Sequence, residues 1–290
     1  MAADFEVQDQ AQFKKLFPAG AKVEQLATGF QFTEGPAWLP QGFLVFSDIP
    51  ANEIKKCTPG AGISNFRAPS NQANGNLVDR QGRLVSCEHG GRRVARLEKD
   101  GTLATLVDSF EGKKLNSPND VAIHPDGSIW FTDPDYGLAG RPKEQEGNYV
   151  YRYDEKTKQL TAVVRDFDKP NGLCFSPGGK LLYIADSGKP RHIRVFPVLA
   201  GGKLGEGRVF ATIDKGGPDG IRCDTRGNVW SSSGDGAQVF SPSGALLVRI
   251  LLPESAANLA FGGPKGQTLY LTARKSLYAV ETLAKDTSGR

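Results

Sequence analysis

Histidine and cysteine are scarce in this chain, with three and four in 290 residues. Cys57, Cys87, Cys174 and Cys223 show no CxxC spacing and stand in apolar runs such as GLCF and IRCD, the setting of small buried hydrophobes. A disulfide framework or a zinc knuckle is therefore not expected. His89, His124 and His192 never fall into HExxH, and there is no GxSxG elbow, no GxxxxGK[ST] loop and no GxGxxG after a strand. The common hydrolase and nucleotide-binding signatures are missing. No apolar run approaches the roughly 18 residues of a membrane span. The opening MAADFEVQDQAQFKK has neither the basic start nor the apolar core of a signal peptide, so the expected location is cytoplasmic. Net charge is only +4, and the basic pairs Lys14-Lys15, Lys55-Lys56, Arg92-Arg93 and Lys113-Lys114 are scattered among acids. Such a pattern lacks the basic stripe that grips nucleic acid, so neither nucleic acid nor membrane is expected as a partner.

What the chain has in quantity is punctuation: 35 glycines and 18 prolines separate short runs of Val, Ile, Leu, Phe and Tyr. Hardly any segment keeps a helical period for three turns, which predicts an all-β protein. One phrase recurs: a polar residue, often with Gly next, then an apolar run, a Gly-containing turn, and a second apolar run with a polar end. The copies are EGPAWLPQGFLVFSD, NGNLVDRQGRLVSCE, NDVAIHPDGSIWFTD, NGLCFSPGGKLLYIAD, DGIRCDTRGNVWSSS and NLAFGGPKGQTLYLT, with starts 40, 45, 52, 48 and 39 residues apart. A period near 45 residues is that of a β-propeller blade. The expected fold is therefore a six-bladed β-propeller formed by one domain over residues 1–290, with residues 1–20 as an N-terminal extension. The last copy has a third strand, Ser276 to Val280, followed only by ETLAKDTSGR. Residues 21–28, AKVEQLAT, are expected to supply its fourth strand and close the ring, which removes the exposed edges of an open array.

In a propeller the first strand of each blade lines the channel, so equivalent opening positions form a ring at one mouth. Here they are Glu34, Asn74, Asn119, Asn171, Asp219 and Asn258, all with side-chain oxygens. Converging carboxylate and amide oxygens suit a hard cation. Glu34, Asn119, Asn171 and Asp219 would bring two negative charges to one divalent ion, with calcium expected first and magnesium or manganese as alternatives. Zinc fits less well, since no His or Cys stands among the donors. The second strands return to the same mouth and bring Asp48, Glu88 with His89, Asp133, Asp186, Ser233 and Thr272 as a second polar tier. The loop from Pro134 to Gly147 emerges there too and is a candidate lid carrying Tyr136 and Arg141.

The strings FTEGPAW with FSDIP, LVSCEHGGRRVARLE, NSPNDVAIHPDGSIWFTDPDYGL, PNGLCFSP with YIADS, and GGPDGIRCDTRGNVW resemble the senescence marker protein, gluconolactonase and regucalcin family of six-bladed propellers. The similarity runs from about Thr28 to Val280 and is greatest to the microbial gluconolactonase branch. It implies a single divalent metal on the Glu of EGP, the Asn of PND, the Asn of PNG and the Asp of PDG, here Glu34, Asn119, Asn171 and Asp219. It also implies that Asp219 is the general base, and that the Glu88-His89 pair marks the gluconolactonase branch. Ser117 stands where animal members carry an Arg, so their substrate contacts do not transfer. The expected activity is metal-dependent hydrolysis of a sugar lactone, D-glucono-1,5-lactone by resemblance, with Glu88, His89, Asp133, Tyr136 and Asn74 as substrate contacts. Asp133 and Glu88 are alternative bases. A phosphotriesterase-like hydrolase, resembling squid-type diisopropyl fluorophosphatase, and a non-catalytic calcium-binding or interaction propeller are the rival functions. The expected assembly is a monomer or small homo-oligomer.

Overall fold

In the computed structural model, which describes residues 4–287, the first strands of six antiparallel sheets stand around one channel. Blade 1 runs through Thr33–Leu39, Phe43–Asp48, Glu53–Thr58 and Gly62–Arg67, from the channel outward. Blade 2 comprises Ala73–Val78, Leu84–Glu88, Arg93–Leu97 and Leu103–Val107, and blade 3 comprises Val121–Ile123, Ile129–Asp133, Tyr149–Asp154 and Gln159–Val164. Pro170–Phe175, Leu181–Asp186, His192–Pro197 and Arg208–Thr212 form blade 4. Ile221–Cys223, Val229–Ser233, Gly236–Phe240 and Leu246–Leu251 belong to blade 5, and Asn258–Gly262, Thr268–Ala273 and Ser276–Glu281 to blade 6. The outer strand of blade 6 is Val23–Thr28, antiparallel to Ser276–Glu281 with Val23 opposite Val280. Ring closure thus falls where the sequence places it, two residues later at its start.

The core lies between blades, because each sheet buries both faces against its neighbours. First strands are mostly buried, as in Thr33–Leu39, whereas every residue of the outer strand Gly62–Arg67 is exposed or half-buried. Trp130 and Trp230 are inaccessible to solvent, and Trp38 stacks on Tyr270 across the seam between blades 1 and 6 at a centroid distance of 5.7 Å. All four cysteines are buried and free, as their apolar contexts predict. Among the described residues, no helix is long and apolar enough to cross a membrane.

The N-terminal extension has a structure that its sequence does not announce. Phe5–Val7 adds a fifth strand to blade 5, paired with Leu246–Leu251, and covers an edge that would otherwise be open. Helix Gln10–Leu16 follows; its N-cap Asp9 accepts from the Ala11 and Gln12 amides at 2.9 and 3.0 Å. Phe17 then enters the seam between blades 5 and 6 with its ring 5.7 Å from that of Trp230. The C-terminal segment crosses the base of blade 5, where the Leu283 amide donates to the Leu16 carbonyl and the Thr287 amide to the Cys223 carbonyl.

Candidate active site

Two local devices bring the ring residues together. The first strands of blades 1, 2 and 4 lose register at Glu34/Ala37, Ala73/Asn76 and Pro170/Leu173. Bulges of this kind re-aim side chains at a strand end. Glycine follows the polar residue in Glu34-Gly35, Asn74-Gly75, Asn171-Gly172 and Asp219-Gly220. A Cβ at Gly172 would overlap the backbone of Asp219 and Ile221, and one at Gly220 would overlap the Asn258 side chain. Without side chains there, backbones of adjacent blades bond directly: Gly75 N–H to Asn119 O at 2.8 Å, Gly172 N–H to Asp219 O at 3.0 Å, and Gly220 N–H to Ala257 O at 2.8 Å. The ring is narrow because glycine permits this approach.

Glu34 is 2% exposed; its Oε2 accepts from its neighbour Gly35 N–H at 2.6 Å and from Asn258 Nδ2 at 2.9 Å. Burial, and then the Asp120 charge, push its carboxyl up to about 7. Asp219 is half-buried at the mouth, beside Asn171. Burial, followed by the charges of Glu34 and Asp120, raises its carboxyl well above the ordinary range. Asp219 Oδ1, Asn171 Oδ1 and Asn74 Oδ1 are buried without any hydrogen-bond donor. Two carboxyls held up by burial and by neighbouring negative charge, with acceptor oxygens left unpaired, match the donor set of a hard divalent cation. Among the described residues, no three His, Cys, Asp or Glu side chains cluster as metal ligands. A cation here would depend on the amide oxygens of Asn119 and Asn171 beside Glu34 and Asp219.

Most of the second polar tier turns away from the opening. Asp48 accepts from the Gln31 and Phe32 amides, Asp186 from those of Asp168 and Lys169, and Asp133 Oδ2 from Asn116 N–H at 2.8 Å. These carboxylates fasten the loop that leads into their own blade. Asp133 keeps one oxygen unpaired, and burial pushes its carboxyl up to about 7. Glu88 is inaccessible to solvent and bonded to Arg67, Asn71 and Arg93 at 2.8, 3.1 and 2.6 Å. His89 lies 3.2 Å from the Asn74 amide (Nε2 to Nδ2), and burial, with the Arg141 charge, lowers it to about 4, so its imidazole is neutral at pH 7.

The candidate lid is tied to the blade beside it by hydrogen bonds. Arg141 donates to the carbonyls of His89, Gly90 and Gly137 at 2.8, 2.8 and 2.7 Å, and Gly137 lies against the His89 ring where no Cβ would fit. Gln145 binds three carbonyls of a short hairpin, Ser109–Phe110 with Lys113–Lys114, that the repeat does not contain. Tyr136, 47% exposed, stands at the mouth near Ser187 and within electrostatic reach of Asp219.

Sequence reasoning missed Asp120 and Arg222. Asp120 occupies the second ring place, where four other copies have Gly, and its Oδ2 is 3.4 Å from Arg222 Nη1 and 3.5 Å from Asn258 Nδ2. The departure from glycine, and a lone arginine inside the apolar IRC strand, are the signals that mark them.

A family model described as the SMP-30/Gluconolactonase/LRE-like region matches residues 32–275. The gluconolactonase of Zymomonas mobilis is 32% identical over 290 residues, spanning 90% of this chain and 81% of its own. A 6-deoxy-6-sulfogluconolactonase of Pseudomonas putida is 29% identical, over 87% of this chain and 86% of its own. Among solved structures, a gluconolactonase of Xanthomonas campestris has a TM-score of 0.91 at 34% identity, covering 97% of this chain and 95% of that one. With its six blades and most of its length matched, this chain belongs to the SMP-30/gluconolactonase/LRE-like family.

Proposed function

We propose that this protein hydrolyses sugar lactones at the mouth that carries Glu34 and Asp219, with D-glucono-1,5-lactone as substrate. The observation that carries this is that Glu34 and Asp219 both carry raised carboxyls, with the Asn171 and Asp219 side-chain oxygens left unpaired in the same ring. Relatives named gluconolactonase and 6-deoxy-6-sulfogluconolactonase support the substrate class. Glu34, Asn119, Asn171 and Asp219 would hold one divalent ion, calcium first; when bound, it supplies a Lewis acid for the lactone carbonyl and for a water molecule.

The chain's own groups do the rest. Asp219 Oδ1, which no protein donor engages, takes a proton from the attacking water as the water oxygen bonds to the carbonyl carbon. The ring C–O bond then breaks and its oxygen takes back the proton held by Asp219, which regenerates the carboxylate and leaves the open-chain hydroxy acid. His89, neutral and beside Asn74, and Tyr136 at the mouth bind sugar hydroxyls. Glu88 and Asp133 hold the surrounding frame: Glu88 fixes Arg67 and Arg93, and Asp133 fixes the entry to blade 3.

A pH-indicator assay on a lactone panel, with aryl esters and a phosphotriester, tests the proposal using chelated protein refilled with calcium, magnesium, manganese or zinc. Fastest turnover of D-glucono-1,5-lactone, lost on chelation, is expected. Turnover of none of these compounds with any metal would leave a binding platform; preference for the phosphotriester would replace the substrate class.

A further inference from the structure

Around the ring, adjacent blades are joined by a repeated bond from which the seam between blades 3 and 4 departs. In three seams the amide that follows the ring residue donates directly to a carbonyl at the opening of the next blade: Gly75 to Asn119, Gly172 to Asp219 and Gly220 to Ala257. All three amides belong to glycines, and a Cβ on any of them would lie 2.0 to 2.5 Å from an atom of the next blade. Between blades 3 and 4 the corresponding residue is Asp120, which has a Cβ, and a side chain stands between the two backbones. Asp120 N–H donates to Thr132 Oγ1 at 3.2 Å, and Thr132 Oγ1 donates onward to the Asn171 carbonyl at 2.7 Å. On its other side Thr132 pairs within its own blade, accepting from Asn119 N–H at 2.8 Å and donating its amide to the Asp120 carbonyl at 3.1 Å. Thr132 is inaccessible to solvent.

A hydroxyl at this place is not a requirement of the blade. One residue before the polar end of the second strand, blades 2 and 4 carry Cys87 and Ala185. Ser47 and Ser232 stand there in blades 1 and 5 and donate to the carbonyls of Asn74 and Ala257 at 2.8 and 2.9 Å. What sets Thr132 apart is that it holds Asn119 through its carbonyl and Asn171 through its hydroxyl, the two residues whose amide oxygens would complete the cation site. Resting on that reading of the ring, we infer that Thr132 is the positioning residue of the cation site: one hydroxyl inserted in the seam spaces the Asn119 and Asn171 backbones, so that both amide oxygens meet a single divalent ion. Groups that orient ligands in this way govern affinity without touching the metal.

Calorimetric titration of the chelated full chain with calcium tests this independently of turnover. Thr132→Val keeps the size and branching but removes the hydroxyl, so the Asp120 amide and the Asn171 carbonyl lose their shared partner, and calcium affinity should fall by about 10- to 100-fold. Thr132→Ser keeps the hydroxyl and should stay within about threefold of wild type. Should the valine variant fail to fold, Thr132→Cys carries the test: cysteine already fills the equivalent place in blade 2, and a thiol is so weak a donor and acceptor that about a tenfold loss is expected. Phe17→Ala, which destabilises the seam between blades 5 and 6 away from these ligands, should leave calcium affinity unchanged and so separates positioning from stability. In the lactone assay the calcium giving half-maximal rate should rise in step with the dissociation constant, with KM at saturating calcium unchanged. Wild-type affinity in Thr132→Val or Thr132→Cys, the valine-sized loss in Thr132→Ser, or an equal loss in Phe17→Ala would each overturn the inference. No calcium binding by the wild type would instead overturn the cation reading itself, and this inference with it.

Discussion

Removing divalent ions while raising the pH exposes the cost of the Glu34–Asp219 pair. The folded protein holds the Glu34 carboxyl near 7 instead of its ordinary 4.5. Below pH 4.5 both folded and unfolded chains carry the proton and there is no penalty. Between 4.5 and 7 the unfolded chain has released a proton that the folded one retains, so stability falls by about 1.4 kcal/mol per pH unit and levels off at about 3 kcal/mol. Asp219, raised for the same reason, adds a loss of the same sign. With an unfolding entropy of roughly 2 cal/mol/K per residue, the Glu34 contribution over 290 residues amounts to about 5 °C. Scanning calorimetry of the chelated protein should therefore show a melting temperature about 4 to 5 °C lower at pH 8 than at pH 5 from Glu34 alone. Glu34→Gln should flatten that slope, and excess calcium should restore the wild type at pH 8. The same slope in Glu34→Gln as in wild type, or no gain from calcium at pH 8, would refute the reasoning.

Asp219→Asn keeps the size and one oxygen of the side chain, so at verified metal saturation the lactone turnover number should fall by about 10² to 10⁴; near-normal turnover would remove Asp219 from the base role. Phe17→Ala leaves a hole beside Trp230 at a site 2% exposed, and should cost about 3 to 5 kcal/mol, read as an early melt; an unchanged melting temperature would show that the extension does not seal the seam. Arg141→Met releases the cover from the His89 and Gly90 carbonyls, and steady-state kinetics should show KM rising about tenfold with kcat little changed; the reverse split would make Arg141 part of the chemical step.

The blades were legible because six phrases repeat in one register, and any position found in one copy can be carried to the next. The closing strand was legible for a related reason: blade 6 lacks a strand and only one nearby segment has the length. Phe5–Val7 and Gln10–Leu16 are too short to show a period, and their place depends on blade 5 having a free edge. The upper ring follows from register, yet register says where a residue stands and not where its carboxylate turns. Asp48, Asp133 and Asp186 reach the right mouth and then bond to backbone amides 16 to 18 residues earlier. The Asp120–Arg222 pair joins residues 102 apart in the chain and exists only once the ring has closed.

That closure also sets the order of events during synthesis. Val23 pairs with Val280, and Thr28 with Ser276, so the strand Val23–Thr28 waits for a partner about 250 residues further along the chain. At roughly 5 to 20 residues per second, the delay is on the order of 10 to 50 s. Through that interval residues 23–28 have no partner, and the fifth strand at Phe5–Val7 waits for Leu246–Leu251. Blades 1 to 4, each made of consecutive strands, can pair as they emerge; the final seam requires the whole ordered array. The nascent chain therefore carries an unpaired β segment while these residues are made, and chaperone capture or self-association is expected to concentrate there.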